Sequence, residues 1–337
     1  MEGKFKYKGT LCLERGGELK NPEICFSTFG NLNSRKDNVI WVCHALTANS
    51  DVADWWPNTV VKEGFLDPEK WFVVCANFLG SHYGTTGPLS INPETEEPYY
   101  LDFPKVTIRD MVNAHILLRQ HLGIDHIHAV VGSSLGGFQA MEWALAEPEK
   151  IEKLVLIATD SCVTPWAAGL NETQRMAIMA DSTYGNKTPE SGLAGMAAAR
   201  AIALLSYRGS SGYNISQKNP DDFDNYKHRV SSYQRYQGEK LCRRFDAYSY
   251  MSILDSFDSH DISRNRGTIE STLKDIKAQT VCISITTDIL FPPEAVKKLA
   301  DGIPGAEYYE LTSEFGHDGF LVEYSQLNKI LKSFIEK

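Results

Sequence analysis

Short apolar runs along the chain alternate with segments whose apolar residues recur at helical spacing. Strands that alternate with helices usually pair in parallel and are covered on both sides, so the pattern predicts a mostly parallel sheet with helices on both faces. Three segments at 4–9, 11–15 and 24–28 precede the alternation and predict antiparallel strands. The apolar runs predict buried strands at 39–43, 71–77, 128–133, 153–158, 280–286 and 306–312.

The alternation stops between about residues 165 and 270, where the sequence is polar and its apolar residues follow helical spacing. We therefore expect one α/β core, formed by residues 1–164 and 273–337, with a helical insertion at 165–272. Because the insertion interrupts the sheet, it should cover the strand ends as a lid that excludes water from a site beneath it. A purely structural or oligomerisation role is the alternative.

The strand at 128–133 runs directly into a G-x-S-x-G pattern at 132–136, and a helical pattern follows at once. This is the arrangement of a nucleophile elbow, in which the central serine lies at the tip of a strained turn. Glycine stands two positions before and two positions after Ser134, but not Ser133. The pattern therefore predicts Ser134 as the nucleophile, and a chance turn of small residues is the alternative.

A nucleophilic serine needs a base, and the base needs a group that orients it. After an elbow of this kind the acid and the histidine follow the serine in chain order. Asp288 comes just after a predicted strand, and His317 lies in a glycine-flanked loop after the last strand. Of the nine histidines, only His317 follows Asp288. We therefore expect Ser134, Asp288 and His317 to form a triad, with Asp160, at the end of an earlier strand, as the alternative acid.

An oxyanion hole needs two backbone N–H donors that converge where negative charge develops. One donor comes from the residue after the nucleophile, and the other from the loop after an early strand. In this chain these residues are Leu135 and Leu46, the second of which lies in the loop at 44–47. His44, in the same loop, is expected to brace the turn.

Charge and composition exclude several classes of function. The net charge of −9 and the pI near 5.5 argue against nucleic-acid or anionic-membrane partners. No apolar stretch approaches the roughly 18 residues of a membrane span, and no secretion signal is visible. The seven cysteines are scattered without a C-x-x-C pair, so they predict buried thiols in a reducing cytoplasm and no metal site.

Further motifs, taken together, resemble the homoserine O-acetyltransferases of the α/β-hydrolase superfamily over nearly the whole chain. Each motif alone is modest, but their shared order along the chain is specific. The resemblance implies the α/β-hydrolase fold with an inserted helical lid. Besides the elbow, the motifs are HALT at 44–47, FVVCAN at 72–77, YGTTGP at 83–88, SINP at 90–93, FPKVTIRDMV at 103–112, QAMEW at 139–143, NETQRMAI at 171–178, RFD at 244–246, SY at 249–250, LFPP at 290–293 and GHD at 316–318.

The resemblance implies a ping-pong reaction of methionine biosynthesis. Ser134 would take an acetyl group from acetyl-CoA and pass it to the hydroxyl of L-homoserine, with His317 as base and then acid, and with Asp288 fixing the imidazole tautomer. Arg175 matches the family's carboxylate-binding arginine, and Asp318 matches its residue for the amino group. A surface ion pair for Arg175 and a loop cap for Asp318 are the alternatives.

The resemblance leaves the donor open between acetyl-CoA and succinyl-CoA, and the acceptor open between homoserine and serine. It implies an acyl-CoA co-substrate, no permanently bound cofactor and a homodimer through the lid. Two other classes stay open on the sequence. One is a serine esterase that uses the same triad with water as acceptor, and the other is a non-catalytic scaffold that keeps the fold.

Overall fold

The chain is described at residues 1–220 and 227–337 in a computed structural model, and this part contains ten strands. Most of them are short and apolar, as expected for strands buried inside a covered sheet. They are β1 (Glu2–Lys6), β2 (Thr10–Cys12), β3 (Glu18–Lys20), β4 (Glu23–Phe29), β5 (Val39–Cys43), β6 (Phe72–Ala76), β7 (Ile127–Ser133), β8 (Ile151–Ile157), β9 (Gln279–Ile285) and β10 (Glu307–Leu311).

Eight of these strands form one twisted sheet in the order β1-β4-β6-β5-β7-β8-β9-β10. The pairs β1–β4 and β4–β6 are antiparallel, and every pair from β6 to β10 is parallel. The parallel strands therefore end at one common edge of the sheet. In open α/β sheets this carboxyl edge is where ligands bind.

Helices connect the parallel strands and cover both faces of the sheet. Those from α4 to α9 stand between β8 and β9, in the predicted insertion, of which residues 221–226 lie outside the described chain. No described helix is both long enough and apolar enough to cross a lipid bilayer. The helices are α1 (Val52–Trp55), α2 (Ile108–His121), α3 (Leu135–Ala146), α4 (Pro165–Met179), α5 (Leu193–Tyr207), α6 (Ser210–Ser216), α7 (Arg229–Cys242), α8 (Ala247–Asp258), α9 (Ile269–Leu273), α10 (Pro293–Gly302), α11 (Gly319–Val322) and α12 (Tyr324–Ile335).

The core consists of two apolar layers, one on each face of the sheet. Successive side chains of a strand point to opposite faces, so all five residues of β5 are buried but they divide between the layers. Trp41 packs in the layer that includes residues of α2 and α3, whereas Ile40 and Val42 pack in the layer that includes residues of α12. This double burial explains why the parallel strands read as continuous apolar runs.

The structure confirms the predicted mostly parallel sheet and its helical cover. The N-terminal region differs in detail from the prediction, because β2 and β3 pair with each other as a separate two-stranded sheet. Only Leu19 of β3 is buried. A three-residue strand with one buried side chain gives no alternating pattern that sequence reasoning could detect.

Candidate active site

The turn between β7 and α3 places Ser134 in a conformation that few side chains adopt. Its φ of 55° and ψ of −127° lie outside the usual helical and extended regions, which is typical of strain kept at a functional turn. A Cβ on Gly132 would overlap the carbonyl oxygen of Gly136, and a Cβ on Gly136 would overlap that of Cys43. The two glycines of the pattern therefore allow strand and helix to meet closely around Ser134.

Hydrogen bonds to the end of β8 hold this turn in place. The N–H of Ser134 donates to the carbonyl oxygen of Ile157 at 2.9 Å, and the hydroxyl of Thr159 donates to the carbonyl oxygen of Ser134, also at 2.9 Å. Ser134 lines a cleft of about 620 Å³. The hydroxyl of Ser133, by contrast, is buried and finds no partner among the described residues. The geometry therefore agrees with Ser134 rather than Ser133 as the candidate nucleophile.

His317 lines the same cleft and pairs with Asp288 behind it. Imidazole Nδ1 lies 2.7 Å from Oδ2 of Asp288, and both residues are only 3% exposed. The other carboxylate oxygen, Oδ1, accepts the backbone N–H groups of Leu290 and Phe291 at 2.8 and 3.0 Å. Asp288 is thus fixed by the turn after β9 and can hold His317 with Nδ1 protonated, which leaves Nε2 as the nitrogen that can accept a proton.

Opposing influences act on the pKa of His317. Burial alone would lower it, but the charge of Asp288, its hydrogen bond and the charge of Asp318 outweigh burial and raise the pKa above the ordinary 6.5. No described residue forms a hydrogen bond with Nε2. The imidazole is therefore held on one side by a carboxylate and is available on the other side for proton transfer.

Asp160 does not take part in this pair. Its carboxylate accepts the N–H and the hydroxyl of Ser161 at 2.6 and 3.2 Å, and its carbonyl oxygen contacts Nε2 of His260 at 3.0 Å. Burial raises the pKa of the Asp160 carboxyl group. Of the two acids that the sequence leaves open, the structure brings only Asp288 to His317.

The backbone N–H groups of the two proposed oxyanion donors have no partner among the described residues. Leu135 is the first residue of α3, where backbone N–H groups have no acceptor within the helix. Leu46 lies in the loop after β5 and lines the cleft. Within the described chain neither N–H donates to a protein group. Both are therefore available to a developing oxyanion.

The loop that carries Leu46 is held from two sides. Nδ1 of His44 lies 2.9 Å from the carbonyl oxygen of Ala45, and burial lowers the pKa of His44 to about 3, so the ring stays neutral and braces the turn. From the insertion, Nη1 of Arg244 donates to the carbonyl oxygen of Thr47 at 2.7 Å and to the hydroxyl of Tyr83. The helical insertion thus contacts the loop directly.

The structure does not bring Arg175 to the cleft, which corrects the expectation that it binds a substrate carboxylate there. Its guanidinium Nη2 lies 2.6 Å from Oδ2 of Asp258, and its Nε lies 2.8 Å from Oε2 of Glu172. The arginine on α4 therefore joins α4 to α8. The structure thus agrees with the alternative role of Arg175, an ion pair. The motif could not reveal this, because packing between the inserted helices cannot be inferred from a local sequence pattern.

Asp318 does line the cleft, beside His317, and its carboxylate pairs with Nε of Arg208 at 2.9 Å. Burial raises the pKa of this carboxyl group, while the charges of Arg208 and Arg200 act in the opposite direction. Arg200 supplies a cation where Arg175 was expected. It lines the cleft, and its guanidinium carbon lies 5.7 Å from the centre of the Tyr207 ring.

Four cleft residues from the insertion were not predicted from the sequence, although Arg200 left a signal there. Arg200 is the one charged residue in the apolar α5, and a lone cation in an apolar helix calls for a specific partner. Tyr207, the last residue of α5, has its ring 5.8 Å from that of His317. Lys240 and Arg244 also line the cleft.

Comparison with known proteins identifies the family. Residues 38–324 match a sequence family described as the α/β hydrolase fold. The homoserine O-acetyltransferase of Cyclobacterium marinum is 46% identical over 331 residues, which cover 98% of this chain and 94% of the relative. The chain belongs to the homoserine O-acetyltransferase family. The fold class and the family inferred from the motifs are thereby confirmed.

Solved structures of two kinds share this fold. The homoserine O-acetyltransferase from Bacillus anthracis has a TM-score of 0.93 at 24% identity, covering 100% of this chain and 98% of the other. A variant of esterase E22 has a TM-score of 0.90 at 25% identity, with 100% of both chains covered. The homoserine O-acetyltransferase fold therefore also carries esterases, so fold alone does not decide the acceptor.

Proposed function

We propose that the protein transfers an acetyl group from acetyl-CoA to the hydroxyl of L-homoserine; its relatives are named homoserine O-acetyltransferases. The residues that line one cleft support this proposal. The cleft holds Ser134, the imidazole of His317 and groups of both charges, Arg200 and Asp318, while Asp288 stands behind the imidazole. An amino acid carries both a carboxylate and an ammonium group, so a site with both signs of charge suits it.

In the first half-reaction, Oγ of Ser134 attacks the thioester carbonyl carbon while Nε2 of His317 takes the hydroxyl proton. The N–H groups of Leu46 and Leu135 stabilise the oxyanion. The carbon–sulfur bond then breaks, and the imidazolium returns the proton to the leaving CoA thiolate. Asp288 stabilises the imidazolium and keeps its Nδ1 protonated. An acetyl ester on Ser134 and free CoA result.

In the second half-reaction, the hydroxyl of homoserine attacks the acetyl ester while His317 takes its proton. Ser134 leaves and recovers that proton from His317. We assign the homoserine carboxylate to Arg200, whose guanidinium can bind it through two hydrogen bonds, and the ammonium group to Asp318. The carboxylate role thus moves from Arg175 to Arg200, since Arg175 is engaged by Asp258 and Glu172.

The inserted helices are proposed to act as the lid. Residues of α5 and α7 line the cleft together with Ser134 of the core, so the insertion lies over the carboxyl edge of the sheet. A cover at this position would limit the access of water to the acetyl ester and so favour transfer over hydrolysis. No permanent cofactor is required by this chemistry, in which acetyl-CoA is consumed as a co-substrate.

A homodimer through the insertion is also proposed. The outward side of α4 exposes Trp166, Met176 and Met179, each more than half exposed. Large apolar side chains grouped on one helix favour a protein interface over contact with water. The protein is further proposed to work in the cytoplasm, because all seven cysteines are free thiols, as expected in a reducing compartment.

An esterase is the second candidate, favoured by the 25% identity and full coverage shared with the esterase E22 variant. The two functions differ in the acceptor that resolves the acetyl ester. CoA release from acetyl-CoA should be slow without homoserine and fast with it if the protein is a transferase. Equal rates with and without homoserine, together with rapid hydrolysis of p-nitrophenyl acetate, would identify an esterase instead.

The donor and the acceptor are settled in the same assay. Acetyl-CoA and succinyl-CoA are each combined with L-homoserine and with L-serine, and CoA release is followed at equal concentrations. We expect the pair of acetyl-CoA and homoserine to give the highest kcat/KM. A preference for succinyl-CoA or for serine would keep the mechanism but replace the proposed substrate.

A further inference from the structure

Two cations line the cleft but play no part in the chemistry at Ser134. Lys240 lies in the last turn of α7, and Arg244 follows two residues after the helix ends. Both side chains are exposed, whereas Ser134 and His317 are buried. The two cations therefore mark the outer part of the cleft, and the nucleophile and base mark its inner part.

The described chain offers neither charge an acidic partner. No carboxylate of the described chain lies within ion-pair distance of Lys240 or Arg244. The bonds of Arg244 go to neutral oxygens, those of Thr47 and Tyr83. Asp54 is the one exposed carboxylate among the described residues that line this cleft, so the two cations leave its outer part with a net positive charge that attracts an anion.

The third cation of the cleft, Arg200, is more buried than the other two and therefore suits a different ligand. Arg200 is only partly exposed and lies over the ring of Tyr207, which in turn approaches His317. A carboxylate bound by Arg200 would therefore lie near the acetyl ester, as the acceptor requires. Lys240 and Arg244, nearer the solvent, remain for anionic groups that stay outside when the thioester reaches Ser134.

We propose that Lys240 and Arg244 form a phosphate-binding subsite for the nucleotide end of the acyl-CoA donor. This inference rests on the proposed function. The thioester is joined to the nucleotide by a long neutral pantetheine arm, so when the carbonyl carbon is at Ser134 the phosphates lie at the mouth of the cleft. Ammonium and guanidinium groups both bind phosphate oxygens through charge-assisted hydrogen bonds.

Truncated and complete donors separate phosphate binding from every other role. Acetyl-CoA and S-acetylpantetheine carry the same thioester and arm, but only acetyl-CoA carries the phosphates. Lys240→Ala and Lys240→Glu are compared with wild type and with Arg243→Ala. Arg243 is an exposed neighbour on the same segment that does not line the described cleft. Thermal unfolding of each variant checks that the fold is kept.

We expect the KM for acetyl-CoA to rise about threefold in Lys240→Ala and about tenfold in Lys240→Glu, as for loss and reversal of an exposed charge. The KM values for S-acetylpantetheine and homoserine should not change, and Arg243→Ala should behave as wild type. Added salt should raise the KM for acetyl-CoA more in wild type than in Lys240→Ala, since salt screens the lost interaction.

The subsite would be ruled out if Lys240→Ala and Lys240→Glu raised the KM values for both donors equally, or if they changed no KM value. It would also be ruled out if only the KM for homoserine rose, which would assign Lys240 to the acceptor carboxylate. The proposed function fails in a different way. In that case wild-type protein transfers no acetyl group to homoserine from either donor, whatever residue stands at position 240.

Discussion

The pKa of His317 connects the geometry of the site to a measurable pH profile. His317 must be neutral to accept the serine proton, so the rate of acetyl transfer should increase with pH as the imidazole deprotonates. Because Asp288 and Asp318 raise this pKa, the midpoint of the acid limb should lie above the ordinary 6.5. The same shift means that protonated His317 stabilises the fold fully below the unfolded-state pKa, and that this contribution is lost as pH rises through the folded-state pKa.

Replacement of Asp288 tests this connection. Asp288→Asn removes the charge that opposes burial, so the acid limb of kcat/KM for acetyl-CoA should move to lower pH. The rate should also fall by about 10⁴-fold, as when a triad acid no longer fixes the tautomer. Asp160→Asn is the matched control and should leave both the rate and the limb close to wild type. Asp288 would not be the triad acid if Asp160→Asn caused the larger loss of rate, or if the midpoint pH of the acid limb were the same in Asp288→Asn as in wild type.

Arg200 and Arg175 offer a second comparison between single residues. Arg200→Met should raise the KM for homoserine by more than about tenfold, as for loss of a charge-assisted contact to a carboxylate. The burst of CoA release from acetyl-CoA should keep its rate, because the thioester is not bound by this residue. Arg175→Met should lower the melting temperature by breaking the pairs with Asp258 and Glu172 while leaving homoserine kinetics unchanged. Reversed effects would restore the role first expected of Arg175.

Among the elements, the approach of β5, β7 and α3 sets the position of the nucleophile. Gly136→Ala places a methyl group against the carbonyl oxygen of Cys43, so the helix or the strand must move. We expect a loss of about 1–3 kcal/mol in the free energy of unfolding, as for overpacked cores, together with slower acetylation of Ser134. Urea unfolding measures the loss of stability, and the burst of CoA release measures the rate of acetylation.

Gly169→Ala is the matched control, because a Cβ at this position in α4 meets nothing within 4 Å. Alanine is favoured over glycine inside a helix by up to about 1 kcal/mol, so this variant should be as stable as wild type or more so. If Gly136→Ala matched Gly169→Ala in stability and burst rate, the close approach at the elbow would not matter for function.

Elements differ in how well the sequence predicts them. Strands buried on both faces, such as β5 and β9, consist of continuous apolar residues, and the order of acid and histidine follows from the elbow. The structure duly joins Asp288 to His317. The inserted helices pack through contacts distant in sequence, and a motif on α4 does not reveal which way it faces. That is why Arg175 was misplaced and why Arg200 was missed.

The outer face of α4 predicts the oligomeric state of the protein. Light scattering after gel filtration should give the mass of a dimer for wild type at micromolar concentration. Met176→Glu places a charge on the exposed apolar face and should yield monomers. Ile91 is an exposed apolar residue outside the helical insertion, so Ile91→Glu should stay dimeric. A monomeric wild type, or a dimer that survives Met176→Glu, would exclude this interface.

Ser134 is proposed to carry the acetyl group between acetyl-CoA and homoserine. Intact-mass spectrometry of protein mixed with acetyl-CoA alone should show the added mass of one acetyl group, located by peptide mapping on Ser134 and missing from Ser134→Ala. Addition of homoserine should remove the group at once and yield O-acetylhomoserine. Acetylation that persists in Ser134→Ala would exclude Ser134 as the acetyl carrier, and removal of the acetyl group by water as fast as by homoserine would exclude a transferase.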